Sequence, residues 1–157
     1  MKHTVWRIAK QEHARTALAG EGARLYGGRW NSPGTSIVYA AQSQSLALLE
    51  MLVHLESPEL LKRYVLFKIQ LEASLTTRLD VSRLPKNWKE YPVPARVQSI
   101  GDNWAASRAS VALAVPSAVV PDESNFLLNP NHHEFSKLII SKSIAFQFDP
   151  RLAVKLR

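Results

Sequence analysis

The sequence predicts an α+β fold in a single unit, and three observations carry that expectation. Short apolar runs of strand character recur along the chain, while helical patterns are few and do not alternate with them as in a regular βαβ protein. The 157 residues are 46% apolar, enough for one core that buries about two-thirds or more of the unfolded surface without a disulfide or metal. No internal repeat, low-complexity stretch or linker divides residues 1–157, so the whole length reads as one domain.

Each element follows from local pattern. Thr4-Val5-Trp6-Arg7-Ile8-Ala9 alternates as a strand does. Gln11 to Ala19 reads as a short helix stopped by Gly20 and Gly22. Gly27 to Gly34 is a turn-rich loop, followed by a β-prone run from Ser36 to Ala41. The clearest helix starts after Ser43 or Ser45, either of which can cap its first turn, and runs through Leu46 to His54 toward a stop near Ser57-Pro58. It is apolar almost all round, which implies burial on most sides. Tyr64 to Leu71 is a further strand, Pro85 to Pro94 is irregular, and a short helix follows Gly101-Asp102-Asn103. Ala109 to Val115, Phe135 to Ile140 and Ser143 to Phe148 complete the expected strands.

Composition excludes several classes of function. Cysteine is absent, so thiolate nucleophiles, Cys-based zinc sites and disulfides are out. No run approaches the ~18 apolar residues of a membrane span. The first fifteen residues carry charges throughout and lack the apolar region of a signal peptide, so the expected address is the cytoplasm. A net charge of +7 favours anionic partners, but the basic residues are scattered and form a field rather than a nucleic-acid arm. A phosphate-cradling Walker sequence, a Gly-x-Ser-x-Gly elbow and a Rossmann glycine fingerprint are all missing.

Three residues stand out as candidates for chemistry. Glu50 lies inside Leu48-Leu49-Glu50-Met51-Leu52-Val53, where a carboxylate costs stability unless it is paired, hydrogen-bonded or protonated. It lies either on an exposed edge of its helix or at a pocket, opposing a developing positive charge; His54, four residues on, shares its face. Arg29 follows two glycines that permit close backbone approach and precedes Trp30, a candidate pocket wall; its guanidinium suits a forked grip on phosphate. Tyr39, on the strand before the helix, is either a core residue or a platform for a flat ring. His132-His133-Glu134 invites a metal reading, but adjacent strand histidines point to opposite faces and no second cluster matches, so no metal is expected.

Taken in order, these blocks resemble the RES domain. The similarity starts at Trp6-Arg7-Ile8 and strengthens through Gly28-Arg29-Trp30-Asn31, Ile37 to Ala41 and Ser45 to His54. It returns at Trp104, Val115 to Pro121, Glu123 to Pro130 and Phe146 to Leu152. Arg29, Glu50 and Ser117 match the three residues that name the family. One departure is Asn131-His132-His133, where the family more often carries His-Pro.

The resemblance implies a fold like that of ADP-ribosyltransferase toxins, with a split mixed or antiparallel sheet flanked by helices around an NAD⁺ cleft. It implies a toxin that degrades NAD⁺ as substrate, cleaving the nicotinamide–ribose bond by hydrolysis or phosphorolysis with no prosthetic group, and a partner antitoxin of the Xre helix-turn-helix type through which operator DNA is reached. In that cleft Glu50 stabilises an oxocarbenium-like ribose, Arg29 the pyrophosphate and Tyr39 the nicotinamide or ribose. Ser117 bonds the amide or ribose, Arg7 is a second phosphate contact, Trp30 lines the pocket and His54 supports Glu50. The alternative with the same cleft is mono-ADP-ribosylation of a protein. A different class, a basic nucleic-acid-binding module without activity, would draw on the high pI and on Trp88 and Trp104 for stacking.

Overall fold

The computed structural model describes residues 1–55 and 63–155. The expected mixture of strands and helices is present as one mixed sheet with helices packed on it. In chain order the strands are β1 (Lys2–Lys10), β2 (Val38–Ala41), β3 (Tyr64–Glu72), β4 (Thr76–Arg78), β5 (Ala112–Pro116), β6 (Ser124–Leu128), β7 (Ile139–Ile140) and β8 (Ile144–Phe146). The helices are α1 (Glu21–Tyr26), α2 (Gln44–Leu52), α3 (Ala95–Ser107) and α4 (Pro150–Lys155).

The sheet runs β4-β5-β6-β2-β1-β3-β7, with β8 also paired to β3. Among the described residues only β4 and β5 pair in parallel. β1 and β3 pair without a slip from Lys2↔Glu72 to Lys10↔Tyr64, and β2 and β6 pair from Val38↔Leu128 to Ala41↔Asn125. Between these two halves, β1 and β2 share a single register pair, Trp6↔Ala41. This is the split that the resemblance implies: two well-paired halves joined at one point.

Alternation of side chains then builds two cores. One face carries Val5, Val38, Ala40, Ile69, Ala112, Ala114, Phe126 and Leu128. The other carries Leu113, Val115 and Leu127 under Trp30, Val97 and Trp104, with Ala41, Leu46 and Ala47 beside Trp6 and Ile8. Fully burying one such aliphatic or aromatic side chain is worth about 1.5–3 kcal/mol, so both faces contribute to holding the sheet. Among the described residues no helix is long and apolar enough to cross a membrane.

Several boundaries differ from the sequence expectation. The segment after β1 is a 3₁₀ turn, Gln11–Thr16, and Gly22 lies inside α1 rather than ending a helix. α2 is capped by Ser43, whose Oγ accepts from the Leu46 amide at 3.1 Å. It ends at Leu52, and the stop expected near Ser57-Pro58 lies outside the described residues. Only Leu46 and Ala47 of α2 are buried; Leu49 and Val53 are 42% and 58% exposed. The apolar helix therefore lies on the surface with one face down, and its apolar outer face did not signal burial. α3 spans thirteen residues where only a short helix after Gly101-Asp102-Asn103 is expected, and β4, β6 and α4 are additional. Phe135–Lys137 forms a 3₁₀ turn before the two-residue β7 instead of a strand.

Candidate active site

Glu50 is not on a bare edge, and among the described residues no hydrogen bond joins it to His54. Strand alternation points Asn125 of β6 to the face on which α2 packs, directly across from Ala41. There its Nδ2 donates to Glu50 Oε1 at 2.7 Å. The hydroxyl of Ser117, just after β5, donates to the same oxygen at 2.6 Å. Among the described residues, no hydrogen bond or ion pair reaches Oε2. His54 sits exposed past the end of α2, and the bonds that Glu50 accepts come from the strands instead.

Ser117 is fully buried. Its oxygen accepts from the amides of Val119 and Val120, each at 3.0 Å, so its one proton goes to Glu50. The serine therefore serves the carboxylate; the expected direct contact with an amide or ribose is not left to it.

Tyr39 lies two residues before Ala41 on the same face of β2, about 7 Å along the strand. Its hydroxyl donates to Asn31 Oδ1 at 2.6 Å and accepts from the Trp30 amide at 3.1 Å. Burial pushes its phenol well above the usual range. The Trp30 amide bond acts the other way, and so does Arg29, which is close enough to be felt there, as is Asp102 with the opposite sign. The Tyr39 hydroxyl thus bonds to the amide of the residue that follows Arg29.

The loop between α1 and β2 is held from several sides. Asn31 is fully buried, and its Nδ2 donates to the carbonyls of Ala23, Ser32 and Thr35. From α3, Asp102 accepts from the Ser32 amide and hydroxyl at 3.0 and 2.6 Å, and Gln98 donates to the Gly28 carbonyl at 3.1 Å. A Cβ on Gly28 would stand 2.7 Å from the Tyr39 hydroxyl oxygen, so the glycine is needed for the ring to close on the loop. Trp30, 2% exposed, is a core residue of this loop and not a pocket wall. Its indole packs at 6.0 Å from that of Trp88.

Arg29 is half-buried, and its Nη1 donates to the carbonyls of Trp88 at 2.7 Å and Glu90 at 3.1 Å. Both bonds use one nitrogen. A groove of about 410 Å³ opens next to this contact, lined by Leu84, Lys86, Trp88, Lys89, Pro116 and Pro121 among others.

Arg7 departs from its expected role. In β1 it points to the face opposite Trp6 and Ile8, away from Tyr39 and Glu50. Its Nε donates to the Ala17 carbonyl at 2.7 Å and its Nη1 to the Tyr39 carbonyl at 2.8 Å. The guanidinium ties the β2 carbonyl of Tyr39 to the Ala17 turn, and burial lowers its pKa to about 10. It remains a cation at neutral pH.

His132 likewise has no nitrogen to spare for a metal. Its Nδ1 accepts from the Glu134 amide at 3.1 Å and its Nε2 lies 3.0 Å from the Arg108 carbonyl, although His132, His133 and Glu134 cluster closely. Trp104 is buried with its indole N–H on Ser110, which removes it from the stacking role of the nucleic-acid reading.

The sequence places Arg29, Tyr39 and Glu50 on three successive elements, but assigns no role to Asn125, Asn31, Gln98 or Asp102. For Asn125 a signal existed: an amide two residues from Leu127, on the same face of a strand whose other inward position there is apolar.

Comparison with known proteins gives a consistent picture. A family model described as RES domain matches residues 4–149. A protein named Toxin Res from Yersinia enterocolitica is 42% identical over 149 residues, covering 94% of this chain and 98% of that protein. The Prs ADP-ribosylating toxin of a Sphingobium species is 39% identical over 161 residues, covering 99% of each. In structure, the fold resembles that in the crystal structure of the M. tuberculosis MbcT–MbcA toxin–antitoxin complex. The TM-score is 0.74 at 23% identity, covering 100% of this chain and 90% of that one; at that identity the likeness speaks to the fold.

Proposed function

The chain belongs to the RES domain family, and from that premise we propose that it is an NAD⁺-degrading toxin that cleaves the nicotinamide–ribose bond. The observation that carries the reading is the carboxylate of Glu50, anchored through Oε1 alone with Oε2 unbonded by the described residues. Nicotinamide is already cationic and departs as a neutral base with the electron pair of the glycosidic bond, so it needs no general acid. Positive charge spreads onto the ribose as the bond lengthens. A fixed anion in a partly desolvated site stabilises that charge without reorganising. Water is the simplest acceptor: its oxygen bonds to the ribose carbon and its proton passes to solvent.

The geometry is compatible with the supporting roles we assign. The edge of Arg29 that its two carbonyl bonds leave unused would meet the pyrophosphate, and the Tyr39 ring would pack the nicotinamide or ribose. Ser117 acts through Glu50, while Arg7 and Trp30 shape the walls from behind. We read residues 1–157 as a single RES domain working in the cytoplasm, neutralised by an antitoxin of the Xre helix-turn-helix type. The toxin–antitoxin complex with a similar fold supports an antitoxin partner.

Purified protein incubated with NAD⁺ alone should release free nicotinamide, and the neighbouring gene product should suppress it. Glu50→Gln should keep the fold and lose turnover by about a hundredfold or more. A folded Glu50→Gln protein with undiminished turnover would overturn the assignment. The second reading, ADP-ribosyl transfer to a protein, is favoured by the name of the Sphingobium relative. Nicotinamide release that requires an added protein, with label transferred to it, selects that reading over hydrolysis.

A further inference from the structure

Around Asn125 the sheet face carries Ala41, Val115 and Leu127, all apolar and buried. Along β6, Leu127 is fully buried, and two residues earlier on the same face stands the amide of Asn125. Across from it, Ala41 is small enough to let that amide reach Glu50 past the packed Leu46 and Ala47. A leucine would fill this place as well as an amide, so packing alone gives no reason for a polar group here. What the amide adds is a donor.

We propose that Asn125 is a positioning residue of the active site: with Ser117 it fixes Oε1 of Glu50, so that Oε2 alone carries the carboxylate toward the substrate. The inference rests on the reading of Glu50 as the anion that faces the ribose. Two facts give it direction. The Ser117 hydroxyl, already accepting twice from backbone, has only Glu50 to donate to, so Oε1 is held as an acceptor. Asn125 donates to that same atom and not to Oε2, so the two donors set the tilt of the carboxylate as well as its place. Among the described residues no lysine or arginine pairs with Glu50, and no titratable side chain hydrogen-bonds to it. Orientation therefore depends on the two neutral donors.

Asn125→Asp keeps the shape and turns the donor into an acceptor; Asn125→Leu removes the donor at similar size. Both should lower kcat for nicotinamide release by about 10- to 100-fold with KM for NAD⁺ changed less than about twofold. In the Glu50→Gln background the same substitutions should cost less than about a further twofold, because Asn125 acts through Glu50. Undiminished kcat in a folded Asn125→Asp protein, or losses that multiply with Glu50→Gln, would overturn the role. Thermal unfolding supplies a readout that needs no turnover. Asn125→Asp should lower Tm by about 3–6 °C beside Glu50, where two carboxylates face each other, and by less than half of that in the Glu50→Gln background. Should the protein release no nicotinamide, the proposed activity falls while the Tm comparison still decides: equal losses in both backgrounds remove Asn125 from its role. If Asn125→Asp does not fold, the same comparisons are read on Asn125→Leu.

Discussion

Tyr39 illustrates how a single residue can fasten a loop beside the role proposed for it at the site. Its hydroxyl satisfies the buried Asn31 side chain and the Trp30 amide at once. Tyr39→Phe leaves both without a partner, and a buried unsatisfied polar group costs about 1–3 kcal/mol. A substantial drop in Tm at neutral pH is therefore expected. The sign of the pH effect follows from the phenol's displacement. Burial raises it above its ordinary value of about 10, so the folded chain keeps this proton while the unfolded chain loses it. Stability from this group is complete below about pH 10 and declines as pH rises above it. Arg7, lowered by burial, pulls the opposite way in the alkaline range, but it does so equally in both proteins. Between about pH 9.5 and 11.5 the Tm of the wild type should therefore fall more steeply than that of Tyr39→Phe. Parallel curves would show that the phenol is not held as described.

At the scale of elements, two glycines in two helices do opposite things. Gly101 sits in the middle of α3, where a Cβ would stand 1.8 Å from the Trp30 carbonyl oxygen. The helix lies directly against the loop that carries Arg29, and Gln98 and Asp102 on the same side bond to that loop. Gly22 lies in α1 with nothing within 4 Å of its missing Cβ. Gly101→Ala should destabilise by about 3 kcal/mol or more through overpacking, while Gly22→Ala should stabilise by about 0.5–1 kcal/mol. Chemical denaturation of the two variants checks both; a neutral Gly101→Ala would mean that α3 can withdraw from the loop at little cost. The same glycines explain what the sequence concealed. Each reads as a helix breaker, so α3 is foreshortened and α1 is missed, because close packing at Gly101 is a tertiary requirement with no local trace. Elements with periodic apolar residues, β1, β2, β3 and α2, were legible. β4 and β6 were not: β4 is three residues long, and β6 opens on Ser124-Asn125, where the site interrupts the apolar pattern.

Across the whole molecule, the site is assembled from segments far apart in sequence, and its side chains were more legible than its backbone partners. Arg29, Tyr39 and Glu50 advertise themselves by type and context. The carbonyls of Trp88 and Glu90, 59 and 61 residues from Arg29, have no side-chain signature and had to be seen. They give Arg29 a structural task beside its proposed one: it clamps the segment around Trp88 to the glycine loop, with the Trp30–Trp88 contact behind it. Lys86 and Lys89 flank Trp88 and line the neighbouring groove, which makes trypsin a direct probe of the clamp. Arg29→Ala should let the segment open, raising the rate of cleavage after Lys86 or Lys89 by about tenfold or more, since a lost pair of charge-assisted bonds of about 1.5–3 kcal/mol corresponds to that population. Glu50→Gln, on a different element, should be cut at the wild-type rate. Arg29→Lys can reach a carbonyl but lacks the planar fork, so it should protect the segment in part while still weakening capture of NAD⁺. Equal cleavage of Arg29→Ala and wild type would show that the tryptophan contact alone holds the segment, and would leave the phosphate as the sole reason for an arginine at this position.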